Sequence, residues 1–266
     1  MHFVEPKVFL IGETRIIEPG LMAYLEHAGV SEWTSDAPTD SEKLIEVMGR
    51  LCYRSFVPGR NPNVSKIRKH NDEYIARIEK DRHGSVIEHA SINFIFADVS
   101  RVFTHELVRH RAGVAISQES LRYVRLDELG LWLPTVIRED EHAIEIFSKT
   151  FEYLERLQKE LSKHYELDVI DKTGKGKLFE LKKKITSAMR RIAPIGLATT
   201  IGWSANFRAL RWVLEMRTDP SAEEEIRLVF GKVGKIVCSR YPNIFGDFKD
   251  EIVDGLPCYK PNNSKV

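Results

Sequence analysis

The sequence predicts an α+β fold in which long helices surround a modest sheet. Residues 144–165 carry apolar side chains at steps of three and four, the pattern of a long amphipathic helix. Apolar residues also recur at every second position in residues 92–96, as in a half-buried strand, and residues 7–11 have strand composition. Because both periodicities occur, the chain is expected to combine helices with a sheet.

Cap and stop signals place the first helices. Thr39 and Ser41 precede apolar residues at helical spacing in residues 44–51, so either side chain can cap a helix there. A second helix has its apolar face in residues 74–78 and is predicted to end near residues 83–84. The strand at residues 7–11 and the helix at residues 44–51 are therefore expected first, and the second helix is expected before the strand at residues 92–96.

Further signals divide the middle of the chain. Ser100 can cap a helix over residues 101–111, after which residues 122–126 alternate as a strand does. Residues 171–177 contain two glycines and three lysines between two charged helical patterns. We expect these seven residues to form a surface loop.

Proline and polar residues mark the last elements. Pro194 interrupts a basic helical run, and residues 198–203 are predicted to be extended. Ser204 is expected to start the next helix. The pair Asp219-Pro220 provides an N-cap and a first helical position for the last helix, whose first turn is acidic.

The charge balance bears on possible partners. Lys and Arg number 40 and Asp and Glu number 39, so the formal net charge is +1. Such a balance creates no whole-molecule field for attracting nucleic acid or an anionic membrane. No stretch approaches the roughly 20 apolar residues that a membrane span needs. We therefore expect a cytoplasmic protein that binds neither nucleic acid nor a membrane.

The cysteines and the length set further limits. Cys52, Cys238 and Cys258 are an odd number without CxxC spacing, which indicates neither a disulfide framework nor a zinc knuckle. Cys52 is expected to be a small buried residue. The chain is predicted to form a single domain over residues 1–266, with a helical excursion at about residues 129–184.

One segment superficially resembles the HExxH motif of zinc proteases. It begins with His105 and Glu106, but Arg109 occupies the position where the second histidine is needed. His110 follows one residue later and points to another side of a helix. The spacing therefore predicts no metal site.

Arginines are interleaved with small and hydrogen-bonding residues in residues 109–123. Arg109, Arg111 and Arg122 belong to this run. Arginine binds phosphate bidentately and keeps its charge, and small residues let the backbone approach a ligand closely. A single arginine is more often solvated or paired with a carboxylate. The interleaving favours a cradle for a phosphorylated ligand.

Four ordered motifs resemble the flavin-dependent thymidylate synthase family and cover about residues 40 to 240. They are His83-x-Ser85-x-x-Glu88-His89, Arg109-His110-Arg111 followed by Ser120 and Arg122-Tyr123, Asn206-x-Arg208, and Arg217. One motif alone is uninformative, but four in order are a strong signal. The resemblance implies the family's fold, with a mostly antiparallel sheet.

The resemblance also implies an activity. It is the reductive methylation of dUMP to dTMP by a flavin-dependent methyltransferase. Methylenetetrahydrofolate would supply the carbon and NADPH the electrons, through FAD. The family's enzymes are homotetramers with active sites between subunits, so the partners implied are a nucleotide, a folate and the chain itself.

Roles follow by match to the family's motifs. The residues implied to hold the flavin are His83, Ser85, Glu88, Arg109, His110, Arg111, Asn206 and Arg208. Those implied to hold the nucleotide are Glu106, Arg109, Gln118, Ser120, Arg122, Arg190 and Arg217. Arg217 is the implied catalytic residue, because a cation beside the pyrimidine stabilises negative charge as N3 loses its proton.

Some positions depart from the family's pattern. The spacer between Arg111 and Ser120 is one residue longer, Glu106 replaces a glutamine, Glu119 an apolar residue and Ser221 a histidine. Two alternatives therefore stay open. One is a flavin and folate enzyme that modifies another uridylate at C5, for instance by hydroxymethylation. The other is a nucleotide-binding homologue without catalysis.

Overall fold

The computed structural model describes residues 1–64, 66–123, 128–173 and 176–264, with only the backbone for residues 171–173. The strands are β1 (His2–Phe3), β2 (Lys7–Glu13), β3 (Ser91–Ser100), β4 (Val114–Gln118), β5 (Gly130–Leu131), β6 (Ala198–Asn206), β7 (Phe248–Val253) and β8 (Leu256–Pro261). The helices are α1 (Glu18–His27), α2 (Asp40–Tyr53), α3 (Asn71–Lys80), α4 (Gly84–Ile87), α5 (Arg101–Leu107), α6 (Thr135–Arg138), α7 (Glu141–His164), α8 (Leu167–Thr173), α9 (Lys177–Met189), α10 (Phe207–Arg217), α11 (Glu224–Arg240) and α12 (Pro242–Phe245). The predicted α+β class is confirmed.

The largest sheet has four strands in the order β2-β3-β6-β4. The N–H of Thr14 donates to the carbonyl of Ser91 at 3.0 Å, just beyond one end of the β2–β3 pair, and Lys7 Nζ lies 2.9 Å from an Asp98 carboxylate oxygen near the other. These contacts join the start of one strand to the end of its neighbour. The pair is therefore antiparallel, as predicted for most of the sheet, whereas the short pair β1–β5 is parallel.

Several predicted elements are confirmed in position. The strand at residues 92–96 lies within β3, where Ile92, Phe94 and Phe96 are buried. Thr39 caps α2 by accepting from the N–H of Glu42. The long amphipathic helix is α7, which begins after an Asp140 cap.

Three predicted helix boundaries are wrong. Helix α5 ends at Leu107, so the Arg109 motif follows the helix. Helix α10 is capped by Asn206 because Ser204 still belongs to β6, where its Oγ accepts from Asn93 Nδ2 at 2.6 Å. Helix α11 is capped by Glu223, whose carboxylate accepts from the N–H groups of Glu225 and Ile226.

Two predictions fall partly outside the described residues. Of the strand predicted at 122–126, only residues 122–123 are described, and they lie in a turn. Of the loop predicted at 171–177, residues 171–173 end α8 and residue 177 begins α9. The loop prediction is therefore too long at both ends.

The chain divides into two compact units. Unit 1 comprises Met1–Lys7, Ile95–Arg109 and Ile116–Gly202. Its core includes Leu131 of β5 and Phe151 of α7. Together these residues hold the long helix α7 within unit 1.

Unit 2 comprises Val8–Phe94, His110–Ala115 and Trp203–Val266. Its core includes the Trp203 ring, whose centroid lies 6.4 Å from that of Phe94 and 5.7 Å from that of Phe230. The single-domain organisation stays a prediction.

None of the helices in the described part of the chain combines the length and hydropathy needed to cross a membrane.

Candidate active site

Arg101, Glu119 and Arg190 form a charged group in unit 1. Arg101 Nη2 donates to the carbonyl of Glu119 at 3.1 Å, while its buried Nε has no hydrogen-bond partner among the described residues. Burial lowers the pKa of Arg101, the Glu119 charge raises it and the Arg190 charge lowers it. The guanidinium groups of Arg101 and Arg190 therefore repel each other. A bound anion would reduce this repulsion and could accept a hydrogen bond from Arg101 Nε.

Glu119 holds the end of β4 against β6. Its carboxylate accepts from the N–H of Thr200 at 3.0 Å and from Thr199 Oγ1 at 3.4 Å, while its own N–H donates to the carbonyl of Thr200. A carboxylate in place of an apolar side chain thus satisfies donors of the neighbouring strand. Glu119 has a structural explanation that requires no ligand.

Gln118, Ser120 and Arg122 lie in one short segment of unit 1. Gln118 Nε2 donates to Thr104 Oγ1 of α5 at 3.1 Å, which fixes the amide. Ser120 Oγ accepts from the N–H of Arg122 at 3.3 Å, and the Arg122 guanidinium carbon lies 5.8 Å from the Tyr123 ring centroid. The serine therefore shapes the turn that presents the exposed Arg122.

The other predicted nucleotide residues of unit 1 differ in exposure. Glu106 is half-buried on α5, and Arg109 is exposed directly after that helix. Arg190 is exposed at the start of a 3-10 segment, Arg190–Ile192, that follows α9. The position of Arg190, four residues before Pro194, is therefore set by the end of α9.

A tight turn in unit 2 carries His110 and Arg111. Gly113 has φ +69°, and a Cβ there would lie 2.4 Å from Asn206 Nδ2. The N–H of Asn206 donates to the Gly113 carbonyl at 2.9 Å, and Asn206 Oδ1 caps α10 by accepting from the N–H of Ala209 at 2.8 Å. Only glycine fits this turn without strain.

His110 and Arg217 are in direct contact in unit 2. Arg217 Nε donates to His110 Nε2 at 2.8 Å. Burial and the Arg217 charge lower the pKa of His110 to about 4. The imidazole is therefore neutral at pH 7 and acts as an acceptor.

The remaining predicted flavin residues of unit 2 lie on or next to α4 and α10. Arg208 donates to a Glu88 carboxylate oxygen at 2.6 Å, and the two side chains are 43% and 45% exposed. His83 Nδ1 lies 3.1 Å from Tyr53 Oη, and their rings stack at 5.7 Å. Ser85 is exposed. All these polar groups are accessible to a ligand.

A cavity of about 160 Å³ in unit 2 opens beside the His83 and Tyr53 pair. Its lining includes the buried Tyr74 and the basic residues Lys66 and Arg68. Its place next to a predicted flavin residue makes it part of the candidate site.

Comparison with known proteins identifies the family. The Thy1 family model, described as thymidylate synthase complementing protein, matches residues 35–243. A flavin-dependent thymidylate synthase of Corynebacterium diphtheriae is 32% identical over 226 residues, covering 85% of this chain and 86% of the relative. The chain belongs to this family. The resemblance seen in the four motifs is confirmed.

Other members and structures agree. A flavin-dependent thymidylate synthase of Mycobacteroides abscessus is 31% identical over 247 residues, covering 93% of this chain and 91% of the relative. Thymidylate synthase X from Helicobacter pylori, solved with FAD and dUMP, has a TM-score of 0.58 at 20% identity and covers 91% of this chain and 98% of its own. The UMP/dUMP methylase PolB of Streptomyces cacaoi has a TM-score of 0.58 at 14% identity. The match covers 92% of this chain and 95% of the PolB chain. These two structures support the fold.

This member of the flavin-dependent thymidylate synthase family is a flavin-dependent methyltransferase. The donor set of unit 2 fits a flavin with a phosphate-containing tail. It includes the exposed Arg111 and the accessible Arg208–Glu88 pair. Asn206 fits less directly, because its Oδ1 already caps α10.

Two further findings concern residues outside the motifs. Cys52 is exposed, so the expectation that it is buried is wrong. Arg101 is absent from the residues assigned through the resemblance, although its position directly after the Ser100 cap was a usable signal. No group of three or more potential metal ligands occurs among the described residues.

Proposed function

We propose that this enzyme converts dUMP to dTMP. Methylenetetrahydrofolate supplies the one-carbon group and NADPH the electrons, through FAD, so the products are dTMP, tetrahydrofolate and NADP⁺. The observation that carries the proposal is the pair Arg101 and Arg190. Their charges repel each other and Arg101 Nε has no acceptor among the described residues, so a phosphate-sized anion is favoured there. Support also comes from the Helicobacter pylori neighbour, whose structure contains FAD and dUMP.

The chain's own residues have separate tasks in this proposal. Arg101 and Arg190 bind the nucleotide phosphate. Ser120, Arg122, Glu106 and Gln118 bind other parts of the nucleotide. Gln118 is held by Thr104, so its amide keeps one orientation when nucleotide binds. Such preorganisation reduces the ordering needed on binding.

Arg217 activates the pyrimidine. A guanidinium beside the uracil stabilises negative charge on the ring as N3 loses its proton, and C5 becomes more nucleophilic. None of the three cysteines belongs to the assigned nucleotide set, so the proposal requires no cysteine nucleophile. Electrostatic activation takes that role.

The residues proposed to hold the FAD are His83, Ser85, Glu88, Arg109, Arg111, Asn206 and Arg208. When bound, the flavin supplies the hydride that reduces the transferred carbon to a methyl group. Arg111 and Arg208 suit its anionic portion, because arginine keeps its charge at every physiological pH. We further propose that the active enzyme is a homotetramer with its sites between subunits.

The experiment is a cofactor, reductant and substrate series on the purified protein. We expect a flavin spectrum that bleaches with NADPH, and a product from dUMP and methylenetetrahydrofolate with the mass of dTMP. A protein that binds no flavin would overturn the proposal. Parallel incubations with UMP, and a hydroxymethyl product mass, distinguish the alternative uridylate reactions; flavin binding without turnover would indicate the non-catalytic alternative.

The phosphate assignment has its own test. Arg190→Ala is expected to raise the KM for dUMP about tenfold or more, since one charge-assisted contact contributes about 1.5–3 kcal/mol. Arg191→Ala is the matched control, because Arg191 is the exposed neighbour and donates to the carbonyl of Ser187 in the preceding helix α9. Equal KM values for the two variants would contradict the assignment.

A further inference from the structure

The contact between His110 and Arg217 has a defined direction. Arg217 Nε can only donate, so His110 Nε2, at 2.8 Å, must accept. The imidazole therefore carries its proton on Nδ1. A protonated imidazole would place a donor against a donor and two positive charges side by side.

The surroundings of His110 favour this form. The ring is half-buried, and Arg217 is the charged side chain that bears on its pKa, which lies near 4. The turn that carries His110 is fixed by Gly113 and Asn206. Arg217 is the last residue of α10, where the negative end of the helix dipole stabilises a cation. Both partners are thus placed by the backbone.

We propose that His110 is a positioning residue for the reaction, because its Nε2 accepts from Arg217 Nε and fixes the plane of the guanidinium that activates the uracil. This inference rests on the proposed function of Arg217. It assigns to His110 a task different from the flavin contact implied by the resemblance.

A neutral imidazole is suited to this task for an electrostatic reason. A carboxylate partner would also hold the guanidinium, but it would cancel much of the positive charge that a developing uracil anion needs. His110 orients the cation and adds no opposing charge. The full charge of Arg217 therefore remains available to the substrate.

Three substitutions separate orientation from charge. His110→Ala removes the acceptor, His110→Gln keeps a neutral acceptor, and His110→Glu keeps an acceptor but adds a negative charge. We expect His110→Ala to lower kcat about tenfold or more with less change in KM, and His110→Gln to recover much of the loss. Flavin content, read from the visible spectrum, should match that of the original enzyme in His110→Ala and His110→Gln.

The ionisation of bound dUMP is the decisive readout. Ultraviolet difference spectra report the fraction of uracil that has lost its N3 proton. This fraction should fall in His110→Ala, recover in His110→Gln and stay low in His110→Glu. An unchanged kcat or uracil ionisation in His110→Ala would overturn the proposal, as would loss of flavin as the main defect.

The contact itself is tested without turnover. In ¹⁵N-histidine NMR, the resonance that disappears in His110→Gln identifies His110. We expect its Nδ1–H tautomer down to about pH 4 in the original protein, and a higher pKa in Arg217→Ala, where burial alone still lowers it. An imidazole that titrates near 6.5 in both proteins would overturn the pairing. If the pairing holds but dUMP gives no dTMP, the proposed function fails and the contact stands.

Discussion

Glu79 is predicted to oppose stability at neutral and alkaline pH. Its carboxyl lies 3.0 Å from Arg211 Nη1, and both side chains are 3% exposed. Arg211 also forms a bidentate pair with Asp247 at 2.8 and 2.9 Å. One positive charge therefore faces the buried carboxyl group of Glu79 and the half-buried carboxyl group of Asp247. Burial raises the pKa of Glu79 to about 8, the Arg211 charge lowers it and the Asp247 charge raises it further.

The sign of the pH effect follows from proton binding. The folded pKa of Glu79, about 8, lies above the unfolded value near 4.5, so the folded state binds more protons between these values. The contribution of Glu79 to the free energy of unfolding is therefore fully present below pH 4.5 and is lost as the pH rises to about 8. At about 1.4 kcal/mol per pKa unit, the loss is about 3 kcal/mol by pH 7.

Glu79→Gln removes the titration while keeping the shape of the side chain. Relative to the original protein, its free energy of unfolding should rise by about 3 kcal/mol between pH 4.5 and pH 7, and further by pH 9. Urea unfolding at fixed protein concentration, followed by tryptophan fluorescence, measures the difference. Glu251→Gln, at an exposed position of β7, is the matched control substitution. A Glu79→Gln curve parallel to that of the original protein would mean that Glu79 is ionised in the folded state.

Three further predictions concern the turn and the strand ends. Gly113→Ala should lower the unfolding free energy by about 1–3 kcal/mol, measured by thermal unfolding, because φ +69° and the Asn206 amide leave no room for Cβ. Asn206→Ala should lose the α10 cap and about 0.5–2 kcal/mol in the same assay, whereas Asn206→Asp keeps the accepting oxygen and most of the stability. Glu119→Ala should lose about 0.5–1.5 kcal/mol by removing the side-chain acceptor of the exposed Thr200 N–H, and Glu119→Gln should recover part of this loss in urea unfolding.

The sequence predicts elements well where one local signal dominates. The α2 cap at Thr39 and the apolar stripe of α7 needed no information from the rest of the chain. The sequence alone does not fix the start of α10, because Ser204 and Asn206 are both good caps and only the partner strand decides between them. Asn93 of β3 holds Ser204 in the sheet, which delays the helix by two residues.

One missed element had a readable signal. Strands β7 and β8 pair from Phe248–Pro261 to Val253–Leu256 around the two-residue turn Asp254-Gly255. Both turn residues have positive φ, 52° and 76°, as a type I′ hairpin turn requires. An Asp-Gly pair between two short strands is therefore sufficient to predict this hairpin, whereas the Arg101–Glu119–Arg190 group needed three distant segments to be brought together.

The motif residues also show why order along a chain identifies a family better than it assigns contacts. The resemblance assigns Asn206 to the flavin, yet its Oδ1 caps α10 and its amide fills the space beside Gly113. The resemblance assigns His110 to the flavin, yet its Nε2 accepts from Arg217 Nε. A side chain can support a site through the backbone turn or the neighbouring cation that it fixes, and such a role leaves the same motif in the sequence. Each assigned residue therefore needs a test that separates loss of ligand from loss of position, as flavin content and uracil ionisation do for His110.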